Sequence, residues 1–151
     1  MIVYLDFDGT VVEYDFPRVG RCNFGCIEVI DKIQKAGHTV VLNTARCEGE
    51  DPKYMQQAID WFQYAWMLVK DRGDIGVDAD FELLPIEATK TKIQPCKWDL
   101  SNIYEQGYLM IDDNAYGMPL KPSCMVSRPM VDWDEVDRQL ERINFYKTQQ
   151  P

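Results

Sequence analysis

Two aspartates, Asp6 and Asp8, end the first apolar stretch of the chain and are followed by Gly9. On an extended segment, side chains two residues apart project to the same side. One carboxylate of such a pair can attack an electrophile such as phosphorus while the other handles protons. An Asp-Gly turn accounts for Asp8 but not for Asp6, because a charge inside an apolar strand is costly without a partner. The pair therefore predicts chemistry rather than a simple turn.

Two later apolar stretches, residues 39–43 and 108–111, also end on polar side chains. The polar residues that follow them are Thr44, Arg46, Asp112 and Asp113. Parallel strands bring their carboxyl ends to one edge of a sheet, where ligands bind. Carboxylates converging there repel one another and have raised pKa values unless a cation is present. Mg²⁺, held by carboxylates, water and a substrate phosphate, is the expected ion, so the sequence predicts a Mg²⁺–phosphate site.

The elements that must position these residues alternate between strand and helix. Strands are predicted over 2–7, 39–43 and 108–111, with weaker ones at 81–86 and 124–126. Helices are predicted over 26–36, from Asp51 through Val69, near 98–106, and from Asp132 to about Phe145, with an irregular loop over 11–25. Such alternation predicts an α/β fold, a Rossmann-like three-layer sandwich with a mostly parallel sheet. Residues 1–151 are expected to form a single domain.

Composition excludes several classes of protein. The chain is 46% apolar and 27% charged, as expected for a globular protein, and no apolar run approaches the ~20 residues that span a bilayer. With no secretory signal at the N-terminus, a cytoplasmic location and no membrane partner are expected. The five cysteines are an odd number and indicate reduced thiols. A net charge of −9 disfavours nucleic-acid binding without excluding it.

Three segments together resemble the signature motifs of the haloacid dehalogenase (HAD) superfamily, in the order that the family has them. They are Asp6-Phe7-Asp8-Gly9-Thr10, Val41-Leu42-Asn43-Thr44-Ala45-Arg46 and Met110-Ile111-Asp112-Asp113. The resemblance covers residues 1 to about 120 and implies a HAD-like phosphatase, a phosphoric monoester hydrolase. An acid at position 8 resembles the phosphatases and phosphotransferases rather than the transport ATPases, which have threonine there.

The resemblance also implies a role for each motif residue. Asp6 would form an aspartyl-phosphate and bind Mg²⁺, and Asp8 would be the general acid/base and a metal ligand through its backbone carbonyl. Asp112 would complete the metal shell, and Asp113 would act through water or by orienting its neighbours. The substrate-binding residues would be Gly9, Thr10, Thr44, Ala45 and Arg46, with Thr44 donating to the phosphoryl oxygens.

The lysine that this family uses to steady the nucleophile and the phosphate has more than one candidate. Lys92 lies twenty residues before Asp112 and Lys97 fifteen before it, and both spacings occur in the family. Lys90 is a third candidate. The sequence leaves this choice open.

The resemblance implies a site without a cap domain, since residues 11–43 are too few to hold one between the first two motifs. The loop over 11–20 is expected to cover part of the site. An open site suits a phosphorylated small molecule, a phosphorylated macromolecular end, or a homo-oligomer that supplies a lid. Phosphoryl transfer and a non-catalytic phosphate-binding protein are alternatives, and a receiver-like signalling domain is a weaker one, because receivers place the acidic pair first.

Overall fold

The computed structural model describes residues 1–71, 82–95, 97–123 and 126–147. Its centre is a four-stranded sheet in which β1 (Ile2–Leu5) lies between β2 (Thr39–Leu42) and β4 (Tyr108–Ile111). The edge strand β3 (Glu87–Ala88) pairs with β2, which gives the order β3-β2-β1-β4. All pairings in this sheet are parallel. The predicted α/β class with a parallel sheet flanked by helices is confirmed.

The helices connect and cover these strands. They are α1 (Cys26–Lys35), α2 (Lys53–Asp71), α3 (Ile103–Gln106) and α4 (Trp133–Arg142), with short 3₁₀ helices at Ala45–Glu48 and Leu100–Asn102. Helix α1 packs against both α2 and α4. Asp132 caps α4 by accepting a hydrogen bond from the Glu135 backbone N–H, 3.2 Å away, as the capping-box spacing predicts. None of the described helices combines the length and apolar character that crossing a membrane requires.

The core lies on the sheet face formed by alternate strand residues. On that face Val3, Leu5, Val40 and Leu42 are almost fully buried, whereas Ile2 on the other face is 40% exposed. This period of two follows from the pleat of the strands. Phe7 continues the buried row beyond β1 and contacts Trp61 and Phe62 of α2, with ring centroids 5.6 and 6.0 Å away. The core therefore anchors the backbone between Asp6 and Asp8.

One strand prediction differs from the structure, and another lies mostly outside the described residues. Residues 82–86 are not a strand, because the side chain of Gln34 takes the hydrogen bonds of the Leu84 backbone: it accepts from the N–H at 3.0 Å and donates to the C=O at 3.2 Å. Phe81 lies outside the described residues, as do two residues of the strand predicted over 124–126. An unpredicted antiparallel pair forms instead between β5 (Leu120–Lys121) and β6 (Met130–Val131).

Candidate active site

Three carboxylates meet at the carboxyl end of the sheet. Asp6 follows β1 and Asp112 follows the neighbouring β4, and the Asp6 backbone N–H donates to Ile111 O at 3.0 Å. One oxygen from each of Asp6, Asp112 and Asp113 lies within 4.8 Å of the others, and all three residues are buried. Because Asp6 and Asp112 follow neighbouring parallel strands, these aspartates lie close together, as predicted.

The electrostatics of this cluster are those of a site that requires positive charge. Burial, and next the charge of Asp112, raise the pKa of Asp6 well above its ordinary value. Burial also raises the pKa of Asp113. Asp112 Oδ2 is buried without a well-aligned hydrogen bond, although Lys92 Nζ lies 3.0 Å away. Three buried carboxylates with oxygens within 4.8 Å of one another fit a hard divalent cation such as Mg²⁺.

Among the three candidate lysines, Lys92 is the one that contacts the carboxylates. Its Nζ lies 3.4 Å from Asp6 Oδ1 and 3.0 Å from Asp112 Oδ2, and its side chain is 7% exposed. Burial alone would lower the pKa of Lys92, but the charges of Asp6 and Asp112 outweigh burial and raise it. Lys90 and Lys97 are both exposed.

The backbone that carries Lys92 is held by Asn43, a residue to which the sequence analysis assigned no role. The Asn43 side chain accepts from the Ile93 N–H at 2.8 Å and donates to the Ile93 C=O at 2.8 Å. Thr89 Oγ1 donates to the same amide oxygen of Asn43 at 3.1 Å. Asn43 is 1% exposed, and an amide directly after an apolar strand is the sequence signal that could have indicated this positioning role.

Asp8 faces a different partner from Asp6. Arg46 donates to both of its oxygens, from Nε to Oδ2 and from Nη2 to Oδ1, each at 2.8 Å. The other acceptors of the guanidinium are Arg18 O, Tyr54 O and Gln57 Oε1, at 2.8, 3.1 and 3.4 Å. These contacts use all five N–H groups of the Arg46 side chain.

The turn after β1 positions Asp113. Thr10 Oγ1 accepts from the Asp113 N–H at 3.2 Å and lies 3.5 Å from Asp113 Oδ1. Gly9 has a φ of +79°, and a Cβ at this position would lie 2.5 Å from Asp113 Oδ2. Only glycine fits here without displacing Asp113. Gly9 and Thr10, which the resemblance assigned to substrate, thus hold an acidic residue and are not part of the wall of the cavity beside the site.

That cavity has a volume of about 340 Å³ and opens over Asp6 and Asp8. Its remaining walls are formed by Tyr14, Phe16, Thr44, Ala45, Arg46, Lys92, Asn114 and Arg128. Tyr14 and Phe16 belong to the loop that was expected to cover part of the site. Thr44 Oγ1 also accepts from the Arg46 N–H at 3.3 Å and caps the following 3₁₀ helix.

Arg128 was missed in the sequence analysis. It lies on the connection between β5 and β6, and Nη2 donates to Asp113 Oδ2 and Asn114 Oδ1, both at 3.1 Å. Its guanidinium carbon lies 4.1 Å from the centroid of the Tyr14 ring. No motif spacing marks this position, because the two-residue strands that place it carry almost no periodicity.

A larger cavity of about 540 Å³ lies between α2 and residues 82–86. Glu82 is the one charged residue in its wall among the described residues. The described part of the cavity wall therefore lacks the converging charges that distinguish the site at the strand ends.

Comparisons with known proteins support the fold. The chain is similar to the solved structure of a conserved protein from Bacteroides thetaiotaomicron, with a TM-score of 0.52 and 24% identity over 95% of this chain and 91% of that chain. At this identity the similarity shows a shared fold alone. No protein-family model and no curated protein matches the chain.

Proposed function

We propose that this protein is a Mg²⁺-dependent phosphomonoester hydrolase that acts through an aspartyl-phosphate on Asp6. The observation that carries the proposal is the buried grouping of Asp6, Asp112 and Asp113, in which the Lys92 ammonium contacts Asp6 and Asp112. Asp8 lies two residues beyond Asp6. The order of the motifs, which resembles that of the HAD superfamily, adds to it. The site opens into a cavity large enough for a phosphoryl group and part of its leaving group.

The acidic cluster is the proposed metal site. Carboxylate oxygens of Asp6, Asp112 and Asp113 would hold Mg²⁺ together with the backbone carbonyl of Asp8. A bound Mg²⁺ supplies charge neutralisation for the phosphate and keeps Asp6 ionised. The donors present therefore fit the cofactor that the sequence analysis expected.

In the first proposed step, a carboxylate oxygen of Asp6 attacks the phosphorus of the ester. The P–O bond to the leaving alcohol breaks, and the alkoxide takes its electron pair and a proton from Asp8. Lys92, 3.4 Å from Asp6, stabilises the negative charge on the phosphoryl oxygens. Thr44 lies in the cavity wall and is the proposed donor to one of these oxygens.

In the second step, water attacks the phosphorus of the aspartyl-phosphate. Asp8, now ionised, takes a proton from that water, and the bond between phosphorus and the Asp6 oxygen breaks. Inorganic phosphate leaves, and both aspartates return to their starting protonation states. The cavity extends over both carboxylates, and the attacking water would enter through it once the alcohol has left.

The main alternative is a phosphate-binding protein without turnover, and one observation favours it. Both oxygens of Asp8 accept hydrogen bonds from Arg46, so the proposed acid/base is already paired in this structure. A phosphotransferase would use the same first step and pass the phosphoryl group to an acceptor other than water.

Hydrolysis of p-nitrophenyl phosphate and of a panel of phosphomonoesters, with Mg²⁺ and with a chelator, tests the proposal. We expect Mg²⁺-dependent turnover that Asp6→Asn abolishes. Asp60→Asn is the matched control, since Asp60 is exposed on α2 and bonds to Gln56. Saturable phosphate binding without turnover of any ester would support the alternative and contradict the proposal.

A further inference from the structure

Arg46 is more constrained than a residue that binds substrate needs to be. Its side chain is 1% exposed, and all five of its N–H groups have acceptors within the protein. No N–H group is left for a phosphate unless one of these hydrogen bonds breaks. The guanidinium also lies beside two aromatic rings, 5.0 Å from the centroid of Phe7 and 5.1 Å from that of Phe16.

The contacts of Arg46 join three separate segments of the chain. Asp8 belongs to the turn after β1, and Tyr54 O and Gln57 Oε1 belong to α2. Arg18 O and the Phe16 ring belong to the loop that lines the cavity. A movement of this loop therefore changes the surroundings of the same guanidinium that holds Asp8.

The two-point contact fixes the plane of the Asp8 carboxylate. A guanidinium and a carboxylate joined by two parallel hydrogen bonds have a defined relative orientation, which one bond would not give. Each carboxylate oxygen offers two lone-pair positions, so the contact leaves one on each oxygen for a proton. Arg46 can thus orient Asp8 without removing its capacity to transfer a proton.

We propose that Arg46 is a positioning residue that orients Asp8 toward the leaving group and couples this orientation to the loop carrying Phe16 and Arg18. This inference rests on the proposed hydrolase function, and it assigns Arg46 to Asp8 instead of to the substrate. A substrate that fills the cavity next to Phe16 would hold the loop in place, and the loop would in turn hold Asp8 in position through Arg46. The enzyme should therefore favour substrates of this kind.

The dependence of kcat/KM on the leaving group tests this role. p-Nitrophenolate leaves readily without protonation, whereas the alkoxide of an alkyl phosphate such as glycerol phosphate requires a general acid. Lysine keeps the charge of Arg46 but cannot make the two-point contact. We expect Arg46→Lys to lower kcat/KM for the alkyl phosphate about tenfold more than for p-nitrophenyl phosphate, since general acid catalysis contributes at least that much.

Arg138→Lys is the matched control, because Arg138 is an exposed arginine that pairs with Glu135 on α4. We expect it to leave the ratio of the two kcat/KM values unchanged. A folded Arg46→Lys protein that loses activity equally on both esters, or loses none, would overturn the inference while leaving the hydrolase function intact. Absence of turnover by the wild-type protein on either ester would instead remove the proposed function, and the inference with it.

Phe16→Leu provides a second variant that keeps the ion pair. Phe16 is 44% exposed and contacts Arg46 but makes no hydrogen bond to Asp8, so the fold is expected to tolerate the change. Coupling through the loop predicts a shift of the kcat/KM ratio in the same direction as Arg46→Lys, by a smaller factor. An unchanged ratio in Phe16→Leu would overturn the coupling even where Arg46→Lys folds poorly.

Discussion

Two lysines of this protein each contact a pair of acidic residues, in opposite environments. Lys92 lies between Asp6 and Asp112, and these three side chains are only 7%, 6% and 2% exposed. Lys32 on α1 lies 3.1 Å from Asp137 and 3.3 Å from Glu141 of α4, and its side chain is 41% exposed. We call the first group, together with Asp113, the strand-end cluster and the second the helix-surface cluster.

The two clusters contain the same chemical groups but differ in their exposure to water. In the helix-surface cluster, Tyr146 also donates to Asp137 at 2.7 Å, and water screens the remaining charge. In the strand-end cluster, Lys92 pairs with Asp6 and Asp112 while Arg128 pairs with Asp113, and the pKa of Asp6 is raised by burial and by Asp112. One cluster joins two helices, whereas the other holds buried carboxylates beside a cavity. Burial, rather than the presence of an ion pair, distinguishes a candidate site.

The largest difference between the two clusters is expected when the lysine of each cluster is replaced by methionine. Lys92→Met should lower turnover by about 100-fold or more, because one preorganised charge at the transition state is lost. It should also lower the free energy of unfolding by about 3 kcal/mol in metal-free protein, since buried carboxylates lose their partner. Both effects are measured by phosphatase assays and chemical denaturation.

Lys32→Met is the matched change in the helix-surface cluster. It should lower the free energy of unfolding by less than about 1 kcal/mol, as for exposed ion pairs, and leave turnover unchanged. Equal effects of the two substitutions on activity would break the distinction between the clusters.

The next effect concerns Mg²⁺ and pH. A raised pKa of Asp6 means that the folded protein favours the protonated acid, so this contribution to stability is present at low pH and is lost as the pH rises through that pKa. Bound Mg²⁺ should offset the loss, because it replaces the proton. We expect Mg²⁺ to raise the melting temperature at neutral pH and to have little effect near pH 4, close to the ordinary pKa of aspartic acid.

Asp112→Asn should abolish most of this Mg²⁺-induced shift, whereas Asp137→Asn should preserve it. Differential scanning fluorimetry with and without Mg²⁺ measures both. A shift of equal size in wild-type protein and Asp112→Asn would place the ion elsewhere.

A smaller effect is expected from Arg128→Gln. Arg128 donates to Asp113 Oδ2 at 3.1 Å, and its loss should weaken Mg²⁺ binding about tenfold by loosening a carboxylate of the strand-end cluster. Titration of activity against Mg²⁺ concentration measures the change, with Arg142→Gln as an exposed control on α4. An unchanged Mg²⁺ dependence would show that Arg128 does not act through Asp113.

Much of the fold could be predicted from local pattern. Residues 108–111 form the predicted strand, and α1 ends one residue before the predicted bound, because apolar periodicity and an adjacent glycine mark both. The grouping of Asp6 with Asp112 could be predicted because strands β1 and β4 are parallel neighbours that end together. The strand predicted at 81–86 was wrong over 82–86, because the side chain of Gln34 in α1 takes the hydrogen bonds of the Leu84 backbone. The sequence pattern does not encode such a contact.

The remaining features of the site depend on contacts between distant segments. Spacing alone could not separate Lys92 from Lys97, whereas the Asn43 side chain fixes the backbone beside Lys92. The resemblance assigns Arg46 to the substrate, because motif position does not reveal that the N–H groups of its side chain already have acceptors within the protein. Direct contact of Arg46 with substrate stays a prediction. The hydrogen bonds of its guanidinium favour a role in positioning Asp8.

Trapping the phosphorylated protein tests whether the reaction passes through a covalent phosphoryl group on Asp6. Wild-type protein mixed with substrate and Mg²⁺, quenched in acid and digested, should give a phosphorylated peptide containing Asp6. The modification should be labile to hydroxylamine, as an acyl phosphate is, and absent from Asp6→Asn. Turnover with a phosphoryl group on another residue, or turnover that leaves Asp6 unmodified under single-turnover conditions, would contradict an aspartyl-phosphate on Asp6.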